Sequence, residues 1–126
     1  NEFERDFACY LDSRAALRWW HRNVARAQYG LQGWRRHKVY PDFVFAKLEA
    51  SGGTRMVVME TKGLHLAGSG DTDYKKALLR RLGDAFRDER GARVGELDLA
   101  MPSGISLVCD MVFDEDWRGR LARDHF

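Results

Sequence analysis

YPDFVF at residues 40–45 and MVVMETKG at residues 56–63 are the two apolar runs that decide the fold. The segment between them contains Ser51, Gly52 and Gly53, which favour a turn. Two strands joined by such a turn run antiparallel. A turn centred on Ser51 places position 44 opposite 58, position 46 opposite 56, and Asp42 opposite Glu60. Directly opposed residues have Cβ atoms about 4.5–5.5 Å apart, so the sequence predicts that two carboxylates share one small site.

A lysine completes this predicted cluster. Lys62 lies two residues past Glu60, on the same strand face and about 6.6 Å further along. Two acids and a lysine at a strand edge can hold a hard divalent cation and activate a water beside it. Mg²⁺ is the expected cofactor, and Mn²⁺ is expected to substitute for it. The plainer interpretation is that Asp42 is a turn residue after Pro41, and that Glu60 and Lys62 form an exposed pair.

The spacing of apolar residues predicts the other elements. They are an opening helix over 2–12, a central strand over 54–61, a second helix over about 71–90 that stops at Gly91, a late strand over 105–113 and a closing helix over 117–125. Residues 14–29 are ambiguous between helix and strand, and we expect a short helical start followed by a strand through Trp19 and Trp20. A further strand is expected over 34–40. The order predicts an α/β domain with a mixed central sheet flanked by helices.

The length and composition of the chain limit its class. A chain of 126 residues is expected to be one domain. No apolar stretch approaches the roughly 18 residues that a membrane span needs, so no membrane partner is expected. Cys9 and Cys109 lie in apolar contexts without disulfide spacing, which predicts buried, reduced thiols in a cytoplasmic protein. Because residue 1 is asparagine, we expect a fragment of a longer polypeptide.

Charge is distributed unevenly along the chain. Residues 13–41 contain seven bases and no acid, and residues 95–116 contain acids and no base. This pattern predicts one basic face that meets phosphates, although a mixed solvated surface explains it equally well. The candidate DNA-contacting residues are Arg35, Arg36, Lys38, Lys75 and Lys76. Trp19 and Trp20 either stack on bases or pack in a core, and the core is the expectation.

The short sequence motifs around the two acids resemble those of a known superfamily. Pro41-Asp42 followed by Glu60-Thr61-Lys62 is similar to the motif of PD-(D/E)XK nucleases, whose core has the order α-β-β-β-α-β. The flanking residues narrow the resemblance to the C-terminal endonuclease domain of type III restriction enzyme restriction subunits and related helicase-fused nucleases. The residues that carry this resemblance lie at 1–4, 10–12, 19–20, 22–23, 34–35, 40–43, 60–66 and 71–75. The resemblance covers most of the chain up to about Leu82.

This resemblance implies a restriction-endonuclease-like fold and Mg²⁺-dependent hydrolysis of DNA phosphodiester bonds. Asp42 and Glu60 correspond to the two metal-binding acids, and the backbone carbonyl of Thr61 corresponds to the third protein ligand. Lys62 corresponds to the lysine that orients or polarises the attacking water. Some members of the superfamily add a glutamate from the opening helix, and Glu4 is the first candidate for that role, with Glu2 second.

The resemblance also implies partners and a location. The expected partners are DNA, an ATP-dependent helicase or translocase region of the same parent chain, and a DNA-recognition or methyltransferase subunit. The expected location is the bacterial cytoplasm. Two alternatives stay open: a non-catalytic nucleic-acid-binding or docking module that keeps the nuclease fold, and a nuclease that acts on RNA or branched DNA.

Overall fold

The structure, a computed structural model, describes residues 1–86, 92–94, 97–99 and 104–126, and only the backbone of the two short middle ranges. Its helices are α1 (Glu2–Asp12), α2 (Gly70–Ala85) and α3 (Trp117–Asp124), and a 3₁₀ turn spans Leu64–Leu66. Its strands are β1 (Leu17–Arg22), β2 (Phe43–Leu48), β3 (Thr54–Lys62), β4 (Ala92–Val94), β5 (Leu97–Leu99) and β6 (Ile105–Phe113). No helix within these ranges is long and apolar enough to cross a membrane.

One mixed sheet organises the chain, with the strand order β1-β2-β3-β6. β1, β2 and β3 pair antiparallel, whereas β6 pairs parallel to β3 after a crossover that contains α2. The prediction of a mixed α/β domain with helices around a mixed sheet is therefore confirmed. β4 and β5 form a separate two-stranded sheet that the sequence patterns did not predict.

The predicted register of the β2–β3 hairpin is confirmed. Val44 pairs with Val58, and Ala46 pairs with Met56. The connecting turn includes Gly52, whose φ of 90° lies in the region that glycine adopts at little cost. This turn sets a register in which even-numbered residues of β2 pair with even-numbered residues of β3. The register determines which side chains of the two strands share a face.

Both faces of β3 are covered by helices. Its odd-numbered side chains, Val57 and Met59, pack in a core with α1 and α3, which contribute Phe7 and Leu121 among others. The even-numbered Val58 packs on the opposite face with residues of the α2 side, including Leu79. This division follows from the two-residue period of a strand, and it confirms the prediction of a central, doubly covered strand.

Two predicted elements near the N-terminal half are wrong. Residues 14–16 form a turn and not a short helix before β1. Residues 34–40 form no strand, because the segment folds back on itself through an isolated bridge between Leu31 and Val39. In place of a ladder, the backbone N–H of Arg35 donates to the Tyr74 hydroxyl on α2 at 3.3 Å.

Smaller expectations have mixed outcomes. The predicted stop of the second helix at Gly91 lies outside the described residues, and α2 is described as far as Ala85. Cys9 is exposed on the outer side of α1, so its predicted burial is wrong, while Cys109 is partly buried. Trp20 packs against the α1–α3 core as expected, but Trp19 is 45% exposed on β1.

α3 is held against β6 by a charged cluster centred on Asp110. The Arg120 guanidinium and the ring Nε2 of His125 both lie 2.8 Å from Asp110 Oδ2. Arg120 also donates to the backbone carbonyl of Met111 at 3.0 Å. Burial acts to raise the pKa of Asp110, but His125 and Arg120 outweigh it and lower that pKa. The cluster therefore joins the C-terminal helix to the sheet.

Replacing Asp110 with alanine is expected to destabilise the fold by about 1–3 kcal/mol, because it leaves buried His125 without its carboxylate partner. The free energy of unfolding in urea measures this loss. Arg123→Ala is the matched control on α3, since its contact with Asp116 spans 4.0 Å between exposed side chains and such pairs contribute about 0–1 kcal/mol. Equal stabilities of the two variants would contradict the role of the Asp110 cluster.

Candidate active site

Asp42, Glu60 and Lys62 line one cavity of about 1370 Å³. Asp42 immediately precedes β2, and the other two residues lie at the end of β3. All three have even numbers, so they share the face of Val44 and Val58, on the α2 side of the sheet. The hairpin register thus brings the two predicted acids and the predicted lysine to one place.

Asp42 is fixed by β3 itself. Its Oδ2 accepts hydrogen bonds from the Thr61 backbone N–H at 2.8 Å and from the Thr61 hydroxyl at 2.7 Å. The Asn23 backbone N–H donates to the Asp42 carbonyl at 2.7 Å. These bonds hold the Asp42 carboxylate in one orientation beside Glu60. The sequence assigned a role to the Thr61 carbonyl, and it did not predict that the amide and hydroxyl of Thr61 would orient Asp42.

Glu60 is the buried acid of the site, with only 3% of its surface exposed. Its Oε1 accepts a hydrogen bond from Lys75 Nζ at 3.2 Å, and Lys62 Nζ lies 3.6 Å from the same oxygen. Its Oε2 is buried and has no hydrogen-bond partner among the described residues. A buried oxygen without a partner is costly, and one that lies beside a second carboxylate fits a divalent cation.

Lys75 is the site residue that sequence reasoning assigned to another role. It was expected to contact DNA from the surface of the second helix, but it lines the cavity and binds Glu60. Asp71, one helical turn earlier, lies 3.6 Å from Lys75 and 3.7 Å from Lys62. Because α2 begins soon after β3 ends, its first turns return to the same end of the sheet. The spacing of Asp71 and Lys75, which puts both on one helix face, was the available signal.

The protonation of Glu60 is poised near neutral pH. Burial, followed by the charge of Asp42, raises the pKa of Glu60 to about 7, and the opposing effect of Lys75 and Lys62 is included in that value. Burial acts to lower the pKa of Lys75, but Glu60 and its other neighbours outweigh this effect and raise that pKa. Lys75 therefore stays charged, and Glu60 is the member of the pair that changes protonation.

Glu4 lies at the wall of the same cavity, but it is engaged by other groups. Arg22 donates to Glu4 Oε2, and the Glu4 backbone N–H donates to the Asn1 side chain at the start of α1. Among the residues that the structure describes, no three acidic, histidine or cysteine side chains converge as metal ligands. Glu4 is thus placed near the two acids without joining them in a three-acid cluster.

The other candidate DNA contacts are distributed over the surface. Lys38 lines the site cavity. Arg35 stacks its guanidinium over the ring of Tyr74 at 4.4 Å, and Arg36 is exposed outside the cavity lining. Lys76 lines a different cavity, between α2 and β6. The structure therefore brings Lys38 and Lys75 to the site and leaves the other three elsewhere.

Comparison with protein-family models, with curated proteins and with solved structures gives no match for this chain. The site combines two neighbouring carboxylates, one of them with an unpaired buried oxygen, and two ammonium groups within 4 Å of one of those carboxylates. That set suits a hard cation together with an anionic oxygen such as a phosphate.

Glu60→Gln is expected to change how stability depends on pH. The folded-state pKa of about 7 exceeds the ordinary value of 4.5, so the folded protein binds this proton more tightly than the unfolded chain. Relative to the glutamine variant, the wild type therefore loses about 3 kcal/mol as the pH rises from about 4.5 to about 7. Urea unfolding across this range measures the difference. Glu115→Gln, at an exposed position between β6 and α3 and outside the cavity lining, is the control. Parallel curves for wild type and Glu60→Gln would refute the shift.

Proposed function

We propose that this chain is a metal-dependent DNA endonuclease domain with a restriction-endonuclease-like core of the PD-(D/E)XK kind. The proposal rests mainly on one observation. Asp42, Glu60 and Lys62, at the ends of adjacent antiparallel strands, line the same cavity. The element order supports it, because an opening helix, three strands, a helix and a parallel strand follow one another around the sheet. The small sheet of β4 and β5 is an addition to that order.

Asp42 and Glu60, together with the backbone carbonyl of Thr61, are the residues that hold Mg²⁺ or Mn²⁺ in this proposal. Such an ion supplies a bound water of lowered pKa and polarises a phosphoryl oxygen. The chain contributes the orientation: Thr61 fixes Asp42, and burial within the sheet fixes Glu60. Because binding requires ionised Glu60, affinity for the metal rises as the pH passes about 7.

The two lysines provide positive charge where a scissile phosphate enters. Lys62 orients the attacking water and stabilises the negative charge that develops on the phosphate. Lys75 and Lys62 both contact the Glu60 carboxylate. Because Lys75 balances part of its negative charge, the positive charge of Lys62 is not fully neutralised by Glu60. Asp71 has a 63% exposed side chain and contacts both ammonium groups, so a phosphate can replace it at small cost.

The more specific proposal places the domain in a larger assembly. It is the cleavage module of a type III restriction enzyme or a related helicase-nuclease of the bacterial cytoplasm. A helicase or translocase region of the parent chain moves the DNA, and a recognition or methyltransferase subunit supplies sequence specificity. The cavity wall formed by Arg26, His37 and Lys38 is the surface that meets the DNA backbone.

Supercoiled plasmid incubated with Mg²⁺ or Mn²⁺ is expected to be nicked or cut, and EDTA is expected to abolish the reaction. Asp42→Asn and Lys62→Met should each lower the rate by at least about 100-fold, because they remove a metal ligand and a charge at the reacting phosphate. The assay is run on this chain, and on any longer natural polypeptide that contains it with its partner subunits.

The control for this assay is Lys47→Met, a lysine of β2 that lies outside the cavity lining. It should cut at the wild-type rate. Absence of metal-dependent cleavage in the longest natural polypeptide with its partners, or equal cleavage by wild type, Asp42→Asn and Lys62→Met, would refute the catalytic proposal and favour a docking module.

The neighbouring lysines of α2 allow a second, matched comparison. Lys75→Met is expected to reduce cleavage by about 10- to 100-fold, because it leaves Glu60 with one cationic partner and removes positive charge from the cavity. Lys76→Met removes the same charge one residue away, from a different cavity, and should alter the rate by less than about threefold. Rates measured at several salt concentrations separate the local effect from general DNA attraction. Equal losses in the two variants would show that Lys75 acts only through bulk charge.

A further inference from the structure

Trp34 is a large aromatic side chain that the core does not use. It lies in the loop between β1 and β2, within the sequence GWRRHK at residues 33–38. Its side chain is 56% exposed, more than that of the other exposed large apolar residues in the described part of the chain. An exposed indole surrounded by basic residues contributes little to folding, and aromatic rings among cations are typical of surfaces that bind single-stranded nucleic acid.

The indole of Trp34 is nevertheless held in place. Its ring meets the Tyr74 ring edge to face, with centroids 5.1 Å apart and an interplanar angle of 88°. Tyr74 is itself buried on α2, and Arg35 stacks over it at 4.4 Å. Arg81, two turns along α2, places its guanidinium 5.8 Å from the centre of the Trp34 ring. The result is an ordered aromatic surface with positive charge on its border.

This surface lies close to the candidate active site. His37 and Lys38 of the same loop line the site cavity, and three residues span at most about 11 Å of chain from Trp34 to His37. On the α2 side, Tyr74 immediately precedes Lys75, which binds Glu60. A strand whose phosphate occupies the cavity can therefore reach Trp34.

We propose that Trp34 stacks on an unpaired base of a single-stranded DNA segment whose backbone continues into the site cavity. The proposal rests on the nuclease function proposed above and specifies its substrate as DNA with single-stranded character next to the cut. Inside a duplex, both faces of each base are covered by neighbouring bases, so an indole finds a free face only on an unpaired nucleotide. Arg35 and Arg36 then lie beside the phosphates of that segment.

The test is binding measured without metal, by fluorescence anisotropy, on a labelled 12-nucleotide single strand and on the matching duplex. Trp34→Ala is expected to weaken single-strand binding by about 5- to 150-fold, the equivalent of one stacked base. Duplex binding should change by less than about twofold. The salt dependence of single-strand binding should keep its slope, because an indole releases no counterions. Arg36→Ala should instead lower that slope by about 0.7.

Two variants control for indirect effects. Trp34→Phe keeps an aromatic face and is expected to recover most of the single-strand affinity. Trp19→Ala removes a comparably exposed tryptophan, 45% exposed on β1, and should bind as the wild type does. Thermal unfolding of each variant verifies that the fold is intact.

The results separate this inference from the nuclease proposal. Unchanged single-strand binding by Trp34→Ala, or equal losses on single strand and duplex, would overturn the stacking inference, whatever the cleavage assay shows. Selective loss of single-strand binding supports the stacking inference, even if no metal-dependent cleavage is found. Selective loss of single-strand binding, together with absence of metal-dependent cleavage in the longest natural polypeptide with its partners, would refute the nuclease proposal alone.

Discussion

The register of the β2–β3 hairpin is the constraint on which the rest of the molecule depends. Strand side chains alternate between faces, so a slip by one residue would move Glu60 and Lys62 to the face of α1 and α3. It would also take Val57 and Met59, which are fully buried, out of that core. Charged side chains placed among apolar neighbours are strongly unfavourable, so the core enforces the register that also gathers the polar cluster.

Burial of the Glu60 carboxylate costs folding free energy, and the neighbouring lysines offset part of that cost. A carboxylate with 3% exposure resists ionisation, and the pKa of Glu60 rises to about 7 because of burial and Asp42. Lys75 and Lys62 reduce the cost without cancelling it, since one carboxylate oxygen stays unpaired within the described residues. A purely structural role would be served better by an apolar residue at this position. The retained, incompletely satisfied charge is what a site for a cation requires.

The sequence predicted those parts that depend on local periodicity. The turn centred on Ser51 predicted the register of the hairpin, and apolar residues on both faces of 54–61 predicted the central strand. Both predictions are confirmed. The predicted strand over residues 34–40 is wrong, because a β-like composition does not show whether a partner strand is available. The loop instead donates a hydrogen bond to the Tyr74 hydroxyl on α2. Lys75 was assigned to the DNA surface because its approach to Glu60 depends on how α2 packs on the sheet through Leu79, a tertiary contact that the sequence pattern did not reveal.

α2 therefore connects three parts of the molecule. Its apolar side chains Leu78 and Leu79 pack in the interior, Lys75 reaches Glu60, and Tyr74 supports Trp34. These residues lie within two turns of one rigid helix, so a rotation that moved Lys75 away from Glu60 would also displace Tyr74. The proposed strand recognition at Trp34 and the charge balance at the two acids are thus mechanically linked through one helix. By contrast, α1 and α3 pack on the opposite face of the sheet, and α3 is also joined to β6 through the Asp110 cluster.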